Sequence, residues 1–231
     1  MKYHQINRQL FIKNRTKFTA QMKPNSVAIF NSNDIYPVSA DSSLPFAQHR
    51  DIFYLSGVDQ EESILLLFPD APYENQREML FLKETSEHIA IWEGEKLTKD
   101  RAFEVSGIKT VHWLQDFEKV LFELMTYSDT IYINTNEHYR AKVETETREA
   151  RFVKWWAAKY PAHTVAKSNP ILQRIRSVKE TEELDLIQNA CNITEKGFRR
   201  VLSFVKPNVM EYEIEAELIH EFIRNRSKGF A

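Results

Sequence analysis

The side chains best suited to chemistry cluster near the C-terminal end of the sequence, as Cys191, Glu217, His220 and Glu221, with carboxylates alternating through Glu211, Glu213 and Glu215. His220-Glu221 opens like the zinc motif His-Glu-x-x-His, in which two imidazoles one helical turn apart grip one ion. Its fifth position is Arg224, a permanent cation with no lone pair to offer a metal. Glu217-x-x-His220 has the spacing used in di-iron bundles, but such a site needs a second pair and two further carboxylates on facing helices, and the sequence holds no second pair. The alternating glutamates read instead as solvated carboxylates that complement a helix dipole near its N-terminus. Cys191 would be a nucleophile only beside a His and an orienting group. Its place on an apolar helical stripe predicts a buried structural thiol. Trp155-Trp156 lies among Arg148, Arg151, Lys154 and Lys159, an arrangement that could stack bases beside phosphates, yet basic residues on one helix face and aromatics on the other are ordinary core packing. With five Gly in all, the chain has no glycine-rich phosphate loop. Read alone, these residues form no catalytic constellation.

The elements that would carry them follow from periodicity. Ile6, Leu10, Phe18 and Met22 fall at helical spacings and Lys23-Pro24-Asn25 stops the run, which predicts an amphipathic opening helix over His4 to Met22. Short apolar runs at Val27–Phe30, Ile64–Phe68, Met79–Leu82 and Ile131–Ile133 predict buried strands. Helices are expected at Thr98–Ser106, with Gly107 just beyond, and at Asp116–Met125, where Phe117, Val120, Leu121 and Leu124 form one stripe. A long helix is expected over His138 to Tyr160, ended by Pro161, with a last strand at His163–Ala166. Strands alternating with single helices predict an α/β domain, and the hairpin-length gap from Pro69 to Glu78 predicts some antiparallel pairing, so the sheet should be mixed and flanked by helices. This domain is expected to span 1–172. From Ser177-x-x-Glu180, a capping-box pattern, a helical stripe runs through Leu184, Ile187, Cys191, Phe198, Val201 and Val205 to Lys206-Pro207-Asn208, and a second helix starts at Glu211. Two helices cannot bury faces that broad. Residues 173–231 are therefore expected to be a linker and the first helices of a truncated second domain.

Bulk properties exclude several classes. A chain of 231 residues, 42% apolar with fifteen Phe, nine Tyr and four Trp, has material for a substantial core. A formal net charge of −2 gives no field to draw in nucleic acid or anionic membrane. The N-terminal stretch lacks the apolar run of a signal peptide, and no run approaches the length of a bilayer-spanning helix, so a cytoplasmic protein is expected. The single Cys excludes an intrachain disulfide, in keeping with a reducing compartment.

Three segments resemble the aminopeptidase P and prolidase family, the creatinase-like pita-bread metallopeptidases. They are Asp41-Ser42-x-x-Pro45-Phe46-x-Gln48-x-x-Asp51-x-Phe53-Tyr54-Leu55-Ser56-Gly57; Ile91-Trp92-x-Gly94-x-x-Leu97, followed by Gly107-Ile108; and Ile175-Arg176-x-Val178-Lys179-x-x-Glu182-Glu183, continuing through Lys206-Pro207 and Glu211-Tyr212-x-Ile214-Glu215-Ala216-Glu217. They occur in the family's order and span most of the chain. Asn208 stands where the family has Gly after Pro. Asn tolerates the left-handed backbone that a helix-ending turn requires.

The resemblance implies a creatinase/prolidase N-terminal-type domain followed by two helices of a pita-bread domain. It implies a parent enzyme that removes the first residue from peptides with proline second, a bond whose nitrogen has no hydrogen for ordinary peptidase sites to grip. It further implies two manganese ions held by two Asp, one His and two Glu that activate a bridging water, all lying beyond the part matched here, so this segment should hold no metal ligand and no catalytic residue. The positions matching substrate-entrance residues, facing a neighbouring subunit of a dimer or tetramer, are Asp41, for a substrate's ammonium, and Trp92, as an apolar wall. A prolidase-type dipeptidase within the family, and a non-catalytic oligomerisation or binding module outside it, are the alternatives.

Overall fold

The structure, a computed structural model, describes residues 3–135, 140, 144–227 and 229; the side chains of Glu87, Ile89 and Trp92 lie outside the described residues. The chain divides into two compact units, Phe11–Val178 and, separately, Met1–Leu10 with Lys179–Ala231.

The larger unit is built from α1 (Arg8–Thr19) from Phe11 onward, β1 (Ser26–Asn31), a hairpin of β2 (Pro37–Ser39) and β3 (Ser42–Ser43), α2 (Arg50–Ser56), β4 (Ile64–Leu67), β5 (Glu78–Leu82), α3 (Glu87–Glu93), α4 (Lys99–Ser106), β6 (Thr110–Trp113), α5 (Phe117–Met125), β7 (Thr130–Ile133), α6 (Arg148–Lys159), β8 (Thr164–Lys167) and α7 (Asn169–Ser177). Six strands form one sheet in the order β6-β5-β4-β1-β7-β8. β4 pairs antiparallel with both β1 and β5, while β1–β7, β7–β8 and β5–β6 are parallel, which is the mixed sheet the sequence predicts. The central strands read as continuous apolar runs because helices cover both faces. Val27, Ile29, Leu66, Phe81 and Ile131 face α5 and α6 through Leu121, Leu124, Phe152 and Trp156. The alternate residues Ala28, Phe30, Leu65, Leu80 and Tyr132 face Phe18, Ile52, Leu55, Ala102 and Leu172 on the other side.

A short repeat in the sequence locks α2 and α4 to α1. Phe53-Tyr-Leu-Ser-Gly57 and Phe103-Glu-Val-Ser-Gly107 end their helices alike, the glycine at φ 71° and 75° donating its N–H to the phenylalanine carbonyl. In each, the serine hydroxyl bonds back to the carbonyl four residues earlier and accepts the N–H two residues on. The guanidinium of Arg15, fully buried, lies between the two helix ends: Nη1 donates to the Leu55 carbonyl (2.8 Å) and the Ser106 carbonyl (3.0 Å), and Nε donates to Glu78 Oε2 (3.0 Å). A Cβ on Gly107 would lie 2.7 Å from Ile12 Cδ1, at a φ that L residues resist. Gly107→Ala should therefore cost about 1–2 kcal/mol in urea unfolding, the strain term near 1 and the displaced Ile12 supplying the rest.

Several expectations are corrected. Helix α6 starts at Arg148, because Thr147 stays extended and its hydroxyl caps the Ala150 N–H (3.2 Å); residues 144–147 are non-helical, and the expected start around His138 lies outside the described residues. A helix absent from the sequence reading, α7, occupies part of the expected linker. Its Pro170 stands in the first turn, where a missing N–H costs nothing, and it buries Ile171, Leu172 and Ile175. Position 172 lies inside that helix.

The smaller unit holds α8 (Thr181–Phe204) and α9 (Glu211–Arg224). The capping box lies one step beyond the expected one: Ser177 ends α7 with its hydroxyl on the Arg174 carbonyl, and Glu183 accepts the Glu180 N–H (2.9 Å). Gly197 lets α9 approach, since a Cβ there would lie 3.1 Å from Leu218 and 3.3 Å from Phe222. The expected stripe stays bare, with Leu184, Phe198 and Val205 exposed, and Cys191 among them is exposed rather than buried. The helix pair closes through Ile193 and Gly197, a face turned away from that thiol. Asn208 adopts φ 72°, the left-handed turn anticipated for it.

Candidate functional site

Asp41 stands at the tip of the β2–β3 hairpin, beside Ala40 at φ 49°, with its side chain exposed. The hairpin is pinned by the Leu44 N–H on the Tyr36 carbonyl (2.9 Å) and presents four apolar side chains, Ile35, Tyr36, Val38 and Leu44, to solvent. An exposed patch of that kind around an acidic tip has the composition of a contact surface. Trp92 belongs to α3, and its side chain lies outside the described residues.

What holds α3 is a charge network. Lys83 bridges Glu93 (3.0 Å) and Glu62 (3.1 Å), and Lys96 pairs with Glu61, both ends nearly buried, and approaches Glu93 at 3.8 Å. The bond to Glu93 holds the Lys83 ammonium above the usual lysine range, and the same bond pulls the Glu93 carboxyl below its own. The loop between is tied down by Gln60, whose Oε1 accepts the Leu97 N–H (2.7 Å), and by Gln48, whose Nε2 donates to the Val58 and Gln60 carbonyls (3.1 and 2.8 Å). No hydrogen bond or ion pair joins Asp41 to α3 among the described residues.

A second polar cluster, not foreseen from the sequence, lies at the carboxyl ends of β1 and β7. Glu149 is 6% exposed and accepts the Asn31 N–H (2.9 Å) and the Asn31 Nδ2 amide (3.2 Å); burial pushes its carboxyl up to about 7, against the pull of those bonds. Asp51 accepts from Arg176 Nη1 (2.6 Å) and Asn134 Nδ2 (3.0 Å), and Ser168 donates to Asn134 Oδ1 (2.7 Å). His49 Nδ1 accepts the Asp51 N–H (3.3 Å), capping α2, which requires that nitrogen to be unprotonated. Burial, the largest influence, lowers the His49 pKa and agrees with a neutral ring, although Asp51 opposes it. His49, Asp51 and Ser168 are thus committed to structural bonds and do not form a nucleophile–base pair. The signal available in the sequence was Gln48-x-x-Asp51, read as a family mark while its physical task went unseen.

The metal-capable residues fare similarly. Glu217 and Glu221 both face Arg200, Glu217 in direct contact with Nε and Glu221 at 3.8 Å from Nη1, and Glu221 Oε1 also accepts from Asn225 (2.7 Å). A cation already occupies that position. Among the described residues no group of three or more His, Cys, Asp or Glu side chains could hold a metal ion. No helix among those residues is long and apolar enough to cross a membrane.

Fold and site together define an α/β domain: a six-stranded mixed sheet covered by helices, with an exposed hairpin that carries Asp41. The chain belongs to the family of the aminopeptidase P N-terminal domain, whose model matches residues 11–132. It is 27% identical over 225 residues to a Xaa-Pro aminopeptidase of Escherichia coli K12, covering 97% of this chain and 51% of that protein. Among solved structures, E. coli aminopeptidase P in a low-pH form matches with a TM-score of 0.81 at 26% identity, over 96% of this chain and 50% of the other. A zinc-substituted form of that enzyme in complex with product matches with a TM-score of 0.77. The chain spans about half the length of the relatives it matches.

Proposed function

We propose that this chain is the N-terminal part of a cytoplasmic Xaa-Pro aminopeptidase, with 1–172 as the N-terminal domain and 173–231 as linker and first helices of the catalytic domain. In this reading, hydrolysis and the two manganese ions belong to the half of the relatives that the chain does not span, and the segment by itself releases nothing from a Xaa-Pro peptide. The observation that carries it is the match along 97% of the chain to a Xaa-Pro aminopeptidase. The exposed apolar hairpin supports a role in assembly: Ile35, Tyr36, Val38 and Leu44 would lie against a second copy in a dimer or tetramer, placing Asp41 beside the peptide's ammonium group and α3, with Trp92, along the same entrance.

Two measurements test this. The 231-residue chain with manganese should leave a Xaa-Pro tripeptide intact while the full-length parent cleaves it. In the parent, Asp41→Asn should raise KM about three- to tenfold, the value of one partly screened ion contact, with kcat changed less than twofold. An unchanged KM removes Asp41 from the entrance, and hydrolysis by the chain alone removes the division of labour.

A further inference from the structure

Where β1 and β4 meet α5 and α6, a cavity of about 310 Å³ opens, lined by the rings of Phe117, Phe152 and Trp155 and by the polar side chains of Asn31, Arg148 and Arg151. The rings form a continuous series, Phe117 to Phe152 at 6.2 Å and Phe152 to Trp155 at 5.7 Å between centroids. Such a wall accepts an aromatic or branched apolar group through edge and offset contacts.

Arg148 gives the cavity its polarity. Among the described residues its hydrogen bonding consists of Nη1 on Ser32 Oγ (3.0 Å), a neutral hydroxyl that also accepts the Ser63 N–H (3.2 Å). A guanidinium carries five N–H donors in a planar fork; half-buried Arg148 spends one of them on a hydroxyl, and the others are not sealed from solvent, which leaves them open to a ligand in the cavity. Asp34, Glu62 and Glu149 act on it through space, but Glu149, its neighbour in sequence, turns its carboxylate to Asn31, and Asp34 is taken by Arg151 Nη2 (2.6 Å). Glu118 also lines the cavity, but Lys159 holds it at 2.9 Å, which offsets its repulsion of an anion.

We propose that this cavity binds a small carboxylate with an aromatic or branched apolar body, the carboxylate on the Arg148 fork and the body between Phe117, Phe152 and Trp155. A carboxylate supplies two parallel acceptors for the Arg148 donors that the Ser32 bond does not use. The volume lies at the small end of ligand sites, about 300–1,000 Å³, and suits a single aromatic amino-acid unit. That unit comes either as a free acid or as the last residue of a peptide. The proposal needs neither the metal half of the enzyme nor a second subunit, and stands apart from the peptidase reading.

The test is an NMR titration of the 231-residue chain, following the Trp155 indole and Arg148 Nε signals, with N-acetyl-phenylalanine, its amide and the tripeptide Gly-Gly-Phe. The acid should shift both signals and bind at least tenfold more tightly than the amide, and Arg148→Gln should abolish that preference. Tighter binding of the tripeptide than of the free acid identifies a peptide C-terminus as the source; weaker binding identifies a free acid. Equal affinity for acid and amide, an absence of shifts up to 10-millimolar-order concentrations, or a preference that survives in Arg148→Gln overturns the site. The acid-to-amide ratio is read on the unaltered protein, so it decides the matter even where the variant is unstable.

Discussion

Arg15→Met should lower the unfolding free energy of the Phe11–Val178 unit by about 3–5 kcal/mol, among the largest effects of any single substitution in the chain. Its guanidinium is fully buried and joins three elements distant in sequence, the ends of α2 and α4 and the edge of β5. Two helix C-termini, each with unsatisfied carbonyls and partial negative charge, converge on this cation. Methionine fills similar volume but leaves the Leu55 and Ser106 carbonyls without a donor inside the core, at about 1–3 kcal/mol each. Removing the other partner should matter much less. Glu78→Gln keeps an oxygen that can accept from Arg15 Nε and both helix-end carbonyls stay paired, so the variant loses only the counter-charge of the buried guanidinium and should cost about 1–2 kcal/mol. The asymmetry separates a helix-end clamp from a simple ion pair. Urea unfolding monitored through exchange of the β1 and β4 amides measures it, and comparable losses in the two variants would reassign the stabilisation to the ion pair.

Why Arg15 escaped the sequence reading also explains what that reading reaches. Strands β1, β4, β5 and β7 were legible because both of their faces are buried, so their residues are apolar without interruption. Helices α4 and α5 were legible because Thr98, Gly107 and the Phe117–Leu124 stripe are local signals. Helix α7 was not, since an Asn-Pro start resembles a loop until the packing of Ile171 and Ile175 is known. The edge strand β6, half-buried along its length, carries a weak pattern, and its pairing with β5 is set by the sheet. Arg15 and Glu149 are invisible for a deeper reason: a charged residue on an amphipathic helix reads as solvated, and only tertiary structure brings Leu55, Ser106 or Asn31 to it. The candidate site follows the same division. Asp41 came from family resemblance, whereas Arg148, whose cavity is assembled from four elements, has no local mark.

Glu149→Gln should stabilise the same unit at pH 8 by about 2–3 kcal/mol relative to its effect at pH 5. Burial pushes the Glu149 carboxyl from 4.5 up to about 7 in the folded protein, the Asn31 bonds and Arg148 opposing the shift. A group whose folded pKa exceeds its unfolded value contributes fully below the unfolded pKa, here 4.5, and that contribution is lost as pH rises through the folded value near 7. The wild-type unit should therefore weaken between about pH 4.5 and 7, and the amide, which never ionises, should not. Histidine works against this in part of the same window: burial lowers the pKa values of His49 and His112, so those rings are protonated more readily in the unfolded chain and folding gains as pH rises toward 6.5. A single pH–stability curve would mix the opposing terms. The difference between wild type and Glu149→Gln removes the bulk of the histidine contribution, because Glu149 bonds Asn31 while His49 is engaged by Asp51 and Asn134, and Asp51, which acts on both, is unchanged in the variant. Exchange of the Asn31 amide supplies a local readout, since its N–H donates directly to Glu149. A flat difference between pH 5 and 8 would mean that the buried carboxyl ionises at its ordinary pKa, with water reaching a pocket that the packing of α6 on β1 closes.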